Sequence, residues 1–191
     1  MAIVAINGSA RRGGNTAQLI AEVFAPLEDA GYECEMIELA GKTIGGCTAC
    51  GRCSIEKDGI CYGRKDDGND VITALLAADA LLIGSPVYYG DITAETKAII
   101  DRLGRIANST KAFVRKPGAG VVAVRRAGAM HALDSINHFF GIQEMFVVSS
   151  SYWNIGIGRE KGEVAGDEEG IRTMRRLGEN MAFLLSRLEE K

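Results

Sequence analysis

The stretch Ala2-Ile-Val-Ala-Ile-Asn-Gly-Ser-Ala-Arg-Arg-Gly-Gly-Asn-Thr16 decides how the rest of the chain is read. Residues 2–6, "AIVAI", are an unbroken apolar run, the pattern of a strand buried on both faces of a parallel sheet. Residues 7–16, "NGSARRGGNT", then supply small residues, hydroxyls at Ser9 and Thr16 and the Asn15 amide, immediately before a segment of helical period. Backbone N–H groups converging at the start of a helix form an anion site. The loop is not a Walker A sequence, because no Lys precedes Thr16, and it is not G-x-G-x-x-G. A turn that only reversed the chain would not need so many donors, so a phosphate site is expected here rather than a plain helix cap.

Working outward, "ALLIG" (80–84), "GVVAV" (120–124) and "MFVVS" (145–149) repeat the buried-strand pattern. "ECEMIEL" (33–39) alternates instead, as a strand nearer an edge does. Between them, Leu19, Ile20, Val23, Phe24 and Leu27, then Ile99, Ile100, Leu103 and Ile106, and finally Ile171 to Leu188, recur at helical spacing. "NDVITALLAAD" (69–79) reads as a shorter helix with Asn69 as its N-cap. The order is β-α-β-loop-α-β-α-β-α-β-α, which predicts a single α/β domain over residues 1–191. Its five parallel strands carry helices on both faces in a doubly wound sheet. Two segments interrupt the alternation: a cysteine-rich loop at about 41–67 and a Gly-rich, charged stretch over 154–170. Both are long enough to be functional insertions.

Composition narrows the function classes. Of 191 residues, 47% are apolar and 25% charged, and the formal net charge is −3, so no basic surplus points to nucleic acid or an anionic membrane. The paired arginines (Arg11, Arg12, Arg125 and Arg126) are weak evidence for a polyanion groove. No apolar run approaches the ~18 residues of a membrane span, and Met1 leads directly into the first strand without a cationic leader. A cytoplasmic address with reduced thiols is therefore expected. Cys34, within "ECEMIEL", reads as a small buried strand residue.

In doubly wound sheets, ligands bind outside the carboxyl ends of the strands where strand order reverses, which singles out the loops after strands 1, 3 and 4. The second of these, "GSPVYYGD" (84–91), has Pro86 to stiffen its exit and two tyrosines on which a planar ligand could stack. The third, "RRAGAM" (125–130), could hold the polar edge of a ring or be a solvated turn.

The motifs "GSARRGGNT" and "GSPVYYGDITAETKAIIDR", with "SYWNIGIG" and "DEEGI" further on, resemble the NAD(P)H-dependent FMN reductase group of the flavodoxin-like superfamily. That resemblance implies a three-layer flavodoxin-like sandwich with strand order 2-1-3-4-5 and FMN as ligand. Ser9, Arg11, Asn15 and Thr16 would hold the phosphate, and Pro86, Val87, Tyr88, Tyr89 and Gly90 would line the isoalloxazine. The third loop departs from the Gly-rich sequence usual in the group, and Arg126 would place positive charge near the flavin's pyrimidine edge.

Cys47, Cys50, Cys53 and Cys61 form C-x2-C-x2-C-x7-C. Structural zinc sites usually close a tetrahedron with two knuckles a dozen or more residues apart. Three thiols within seven residues suit a chain wrapped around a bulkier cubane, with Gly45, Gly46 and Gly51 letting backbone approach the sulfides. Zinc, a disulfide and free thiols stay open on spacing alone. The compact motif after strand 2 resembles that of the iron–sulfur flavoproteins, which implies a [4Fe–4S] cluster exchanging electrons with FMN.

Asp66 and Asp67 read as orienting the helix at 69, and Asp167, Glu168 and Glu169 as suiting the dipole of the last helix. His131 and His138, seven apart, could share a helix face but make a poor metal site without carboxylate partners. The sequence thus predicts a flavin-dependent oxidoreductase or electron-transfer flavoprotein, its chemistry carried by the flavin. NAD(P)H or a ferredoxin-like protein would donate electrons, and the resemblance implies a homodimer or homotetramer. The alternatives are an NAD(P)H-dependent FMN or quinone reductase without a cluster, a non-catalytic FMN electron carrier, and a zinc-holding nucleotide-binding module.

Overall fold

In the computed structural model, which describes residues 1–189, the chain alternates strands and helices. Strand β1 (Ala2–Asn7) is followed by α1 (Asn15–Asp29), β2 (Glu33–Glu38), a one-turn helix α2 (Arg52–Glu56) and α3 (Gly68–Ala77). Then come β3 (Ala80–Pro86), α4 (Ala94–Thr110), β4 (Pro117–Val124), α5 (Ala129–Ile142), β5 (Phe146–Val147), β6 (Ile155–Ile157), a 3-10 turn at Glu163–Gly166 and α6 (Glu168–Glu189). All strand pairings are parallel, in the order β2-β1-β3-β4-β5, with β6 also on β4.

The apolar runs of β1, β3 and β4 are buried on both faces, as their continuity requires, whereas Phe146 and Val147 of the run read over 145–149 are exposed. Val4 and Ile6 of β1, Leu81 and Ile83 of β3, and Val122 and Val124 of β4 join one core layer with α3, α4 and α5. Their neighbours Ile3, Ala5, Ala80, Leu82, Ala119, Val121 and Ala123 join the opposite layer with α1 and α6. Edge strand β2 alternates as read, and Cys34 packs half-buried against the α1/α6 layer. Burial there pushes the Cys34 thiol up to about 11, with Glu28 adding to the shift.

Two expectations change. The strand read over 145–149 pairs through only Phe146 and Val147, and the same edge of β4 is completed by β6 along Val122–Val124. An edge strand is held on one side only, so the chain can leave the ladder after Val148, loop outward and return at Ile155 without stranding hydrogen bonds on a neighbour. Asn69 does not cap α3: it lies inside that helix, and its amide pairs with both backbone groups of Cys61, at 2.9 and 3.1 Å. Asp66 takes the capping role by accepting from Gly68 N–H at 3.0 Å.

Candidate functional site

The loops after β1, β3 and β4 meet at the carboxyl end of the sheet and enclose a cavity of about 340 Å³. Ser9, Arg11, Asn15 and Thr16 line it from the first loop and the start of α1, Pro86, Val87 and Tyr88 from the end of β3 and the loop after it, and Ala123 and Arg125 from the end of β4 and the loop after it. Residues 158–161 close its outer side. Helix α1 begins at this cavity with no side chain capping its first turn, so its N–H groups lack side-chain partners there. Thr16 Oγ1 is buried and makes no hydrogen bond. A buried hydroxyl without a partner beside an uncapped helix start is what a bound phosphate would satisfy.

The floor of the site is tied together by polar contacts. Thr93 caps α4 and donates through Oγ1 to Gly8 O at 2.9 Å, binding the β3 exit to the first loop. Asn7 Oδ1 accepts from Ser9 N–H at 3.0 Å, and Ser9 Oγ accepts from Arg11 N–H at 3.1 Å. Tyr88 and Asp91 exchange backbone hydrogen bonds of 2.8 and 3.1 Å around Tyr89 (φ 51) and Gly90 (φ 87). That pair of left-handed residues makes a tight turn which carries the Tyr89 ring fully into solvent. Tyr89 and Gly90 do not line the cavity. Instead the turn abuts the third loop: a Cβ at Gly128 would lie 3.0 Å from Cα of Gly90.

Asn15, which lines the cavity, also bonds the charged insertion. Its Nδ2 donates to Glu160 O at 2.9 Å, and its Oδ1 accepts from Gly162 N–H at 2.8 Å, which clamps the charged insertion over the cavity. Glu163 reinforces the clamp by accepting from the N–H groups of Arg159 and Glu160; these two bonds hold its carboxyl below the ordinary value. Arg159 and Lys161, which thereby line the cavity, were not singled out from sequence, although the Gly-rich stretch carrying them stood out as an insertion.

Adjacent arginines at the end of β4 face different spaces. Arg125 lines the phosphate-loop cavity, whereas Arg126 lines a neighbouring one of about 420 Å³ with Tyr152, Trp153 and His131. His131 does have a carboxylate neighbour: its Nε2 lies 3.5 Å from Asp91 Oδ2. Asp167 takes a structural part, accepting from Ile157 and Gly170 N–H at the start of α6.

The cysteine loop forms a separate site. Cys47, Cys50, Cys53 and Cys61 all line one cavity of about 300 Å³, together with Arg102 and Arg105 of α4. Cys47 and Cys50 are exposed, and Cys53 and Cys61 are buried, at 8% each. Ala49 (φ 55) and Gly51 (φ 73) turn the chain between the first three thiols, and Ala49 N–H points to Cys47 Sγ at 3.4 Å. Among the described residues, no three His, Cys, Asp or Glu side chains are drawn together closely enough to hold a single metal ion. The four thiols thus share a cavity without forming a compact tetrahedron. Of the three glycines expected to admit sulfide, Gly46 and Gly51 have open space where a Cβ would stand, whereas the side chain of Arg64 covers Gly45.

Sequence reading missed Arg102. It occupies the apolar face of α4, three residues after Ile99 and four before Ile106, where a charge is a signal in itself. Its side chain is fully buried and paired with Asp66 at 2.8 Å.

Sheet order, layers and the ligand cavity at the switch point define a flavodoxin-like α/β protein. By its match over residues 1–160 to the model of the NADPH-dependent FMN reductases, and by its iron–sulfur flavoprotein relatives, the chain belongs to the NADPH-dependent FMN reductase family and, within it, to the iron–sulfur flavoproteins. It is 31% identical over 198 residues to an iron–sulfur flavoprotein of Methanocaldococcus jannaschii, covering 100% of each chain. Among solved structures it resembles RosB with 8-demethyl-8-formylriboflavin 5'-phosphate bound (TM-score 0.79, 18% identity), covering 100% of this chain and 81% of that one. It also resembles a flavodoxin from the domain Archaea (TM-score 0.63, 15% identity, 97% and 99% covered). The protein is an FMN-dependent oxidoreductase. No helix among the described residues is long and apolar enough to cross a membrane.

Proposed function

We propose that the chain is an electron-transfer flavoprotein which binds FMN in the phosphate-loop cavity and a [4Fe–4S] cluster through Cys47, Cys50, Cys53 and Cys61. Its protein environment is cytoplasmic, it works as a homodimer or homotetramer, and its donors are NAD(P)H or a ferredoxin-like protein. When bound, FMN accepts hydride or single electrons, and a cluster accepts single electrons.

The chain's own residues do the positioning. Ser9, Arg11, Thr16 and the uncapped start of α1 receive the phosphate, with Arg125, Arg159 and Lys161 adding positive charge around it. Asn15 holds the 158–163 segment in place as a wall. Pro86, Val87 and Tyr88 face the ring system, while Tyr89 and Gly90 shape the turn behind them. Arg126 acts from the adjoining cavity.

One observation carries the cluster reading: four cysteines, two exposed and two buried, line a single cavity. Aerobic and anaerobic purification, each followed by a visible spectrum and iron and sulfide analysis, tests it. About four iron and four sulfide per chain from the anaerobic preparation is the expected result. Flavin bands without iron would instead favour the second reading, an NAD(P)H-dependent FMN or quinone reductase with free thiols.

A further inference from the structure

The cysteine cavity contains a cation that its visible partners do not satisfy. Arg102 is 1% exposed. Its Nη1 donates to Asp66 Oδ1 at 2.8 Å, Asp66 Oδ2 at 3.0 Å and Gly45 O at 3.2 Å. Its Nε donates to Cys61 Sγ at 3.2 Å. Nη2 is buried and has no hydrogen-bond partner. A buried, unpartnered guanidinium nitrogen is costly, and native interiors rarely leave one.

The geometry of the group says where a partner would stand. A guanidinium is planar and holds the Nε hydrogen and one Nη2 hydrogen side by side as a fork. Here Nε points at the sulfur of Cys61, so the second tine points to the same side, and Arg102 lines the cavity that the four cysteines share. An ion pair that only fastened the loop to α4 would be complete with Asp66 and Gly45. The remaining half of the guanidinium faces sulfur.

The surroundings hold it in that pose. A Cβ at Gly68 would lie 2.3 Å from Nη1 and 2.7 Å from Cζ, so the first residue of α3 is packed directly on the guanidinium. Asp66 also accepts from Gly45 and Gly68 N–H, at 2.8 and 3.0 Å, and is itself immobilised. Asn69 fixes the backbone of Cys61 from the other side.

We propose that Arg102 is a positioning residue of the four-thiol site: it orients Cys61 through Nε, and its free Nη2 hydrogen donates to sulfur of the group the thiols hold. Its charge also makes that group easier to reduce. This rests on the cluster reading above. Reduction brings in one electron from the flavin or an added reductant. No bond forms or breaks, and the site gains one negative charge facing the guanidinium. Hydrogen bonds and fixed charge at sulfur are established means of raising such potentials.

The test compares wild type with Arg102→Lys, Arg102→Gln and Arg102→Met, all purified anaerobically. FMN occupancy, iron and sulfide per chain, and a potentiometric titration followed by electron paramagnetic resonance are the readouts. Lys should keep the titration within about threefold of wild type. Met and Gln, at wild-type FMN occupancy, should lower the reduced-to-oxidised ratio at a fixed potential about tenfold, which is about 59 mV for one electron. Met or Gln titrating as wild type would overturn the proposal, and so would Lys shifting as far as Met, because shape rather than charge would then matter. If Met does not fold, Gln decides, since it keeps a donor without the charge. Wild type carrying FMN but no iron would refute the cluster reading itself, a result distinct from iron-loaded variants with unshifted titrations.

Discussion

Asn15 and Glu160 meet across 145 positions of sequence: the Asn15 amide donates to the Glu160 carbonyl at 2.9 Å while its oxygen accepts from Gly162 N–H. A residue of the phosphate loop thereby holds the charged insertion against the cavity. Asn15→Ala removes these bonds and a longer one from Val164 N–H at 3.5 Å, each short one worth about 1 kcal/mol net. FMN affinity of the apoprotein should fall about tenfold or more, read by flavin fluorescence quenching. Unchanged affinity would show that the insertion needs no clamp.

The unpartnered Thr16 hydroxyl gives a ligand-specific prediction. Thr16→Val keeps the shape and removes the donor. FMN binding should weaken about tenfold, the scale of a hydrogen bond to a charged group, while riboflavin, which has no phosphate, should bind as to wild type. Equal losses for both flavins would place Thr16 away from the phosphate.

Acid should act through Asp66. Burial alone would raise its carboxyl, but hydrogen bonds from Gly45 N–H, Arg102 and Gly68 N–H more than offset this and hold it below the ordinary value. A carboxyl depressed in the folded state contributes stability that is complete above its unfolded value of ~4 and is lost as pH falls through the folded one. Asp66→Asn should therefore melt lower at pH 7, by about 3 kcal/mol or more because it strands a buried guanidinium. The two melting curves should converge toward pH 2. A gap that persists unchanged at low pH would exclude this ionisation.

Thiol reactivity should sort by environment. In metal-free protein, the exposed Cys47 and Cys50 should alkylate first. Half-buried Cys34, its thiol pushed up to about 11, should react slowly at pH 7. Its rate should rise about tenfold per pH unit until that value, because the thiolate is the nucleophile. Mass spectrometry of timed digests reads the order directly.

Helix α6 packs on α1 through Gly178, where an added Cβ would stand 2.2 Å from the backbone oxygen of Val23. Backbone cannot yield as a side-chain tip does. Gly178→Ala should cost about 1–3 kcal/mol, lowering Tm by roughly 2–4 °C per kcal/mol in a chain of this size. FMN affinity measured below the transition should stay unchanged.

The sequence by itself determined the layered α/β fold, because continuous apolar runs such as "AIVAI" can be satisfied only by burial on both faces. It also marked the first loop as the candidate anion site, since Ser9, Arg11, Asn15 and Thr16 lie within eight positions of one another beside a helix start. It marked the four cysteines by their spacing. Tertiary structure alone decided three things. The last edge of the sheet is shared by β5 and β6, because a strand with one neighbour can break without cost to another. Asn15 clamps the charged insertion as well as lining the cavity, because its partners arrive from residues 160–164. Arg102 sits among the thiols because α4 crosses beneath a loop some forty residues earlier, with 41 positions separating it from Cys61. Local pattern records which residues must be buried; which distant groups they meet there depends on how the layers pack.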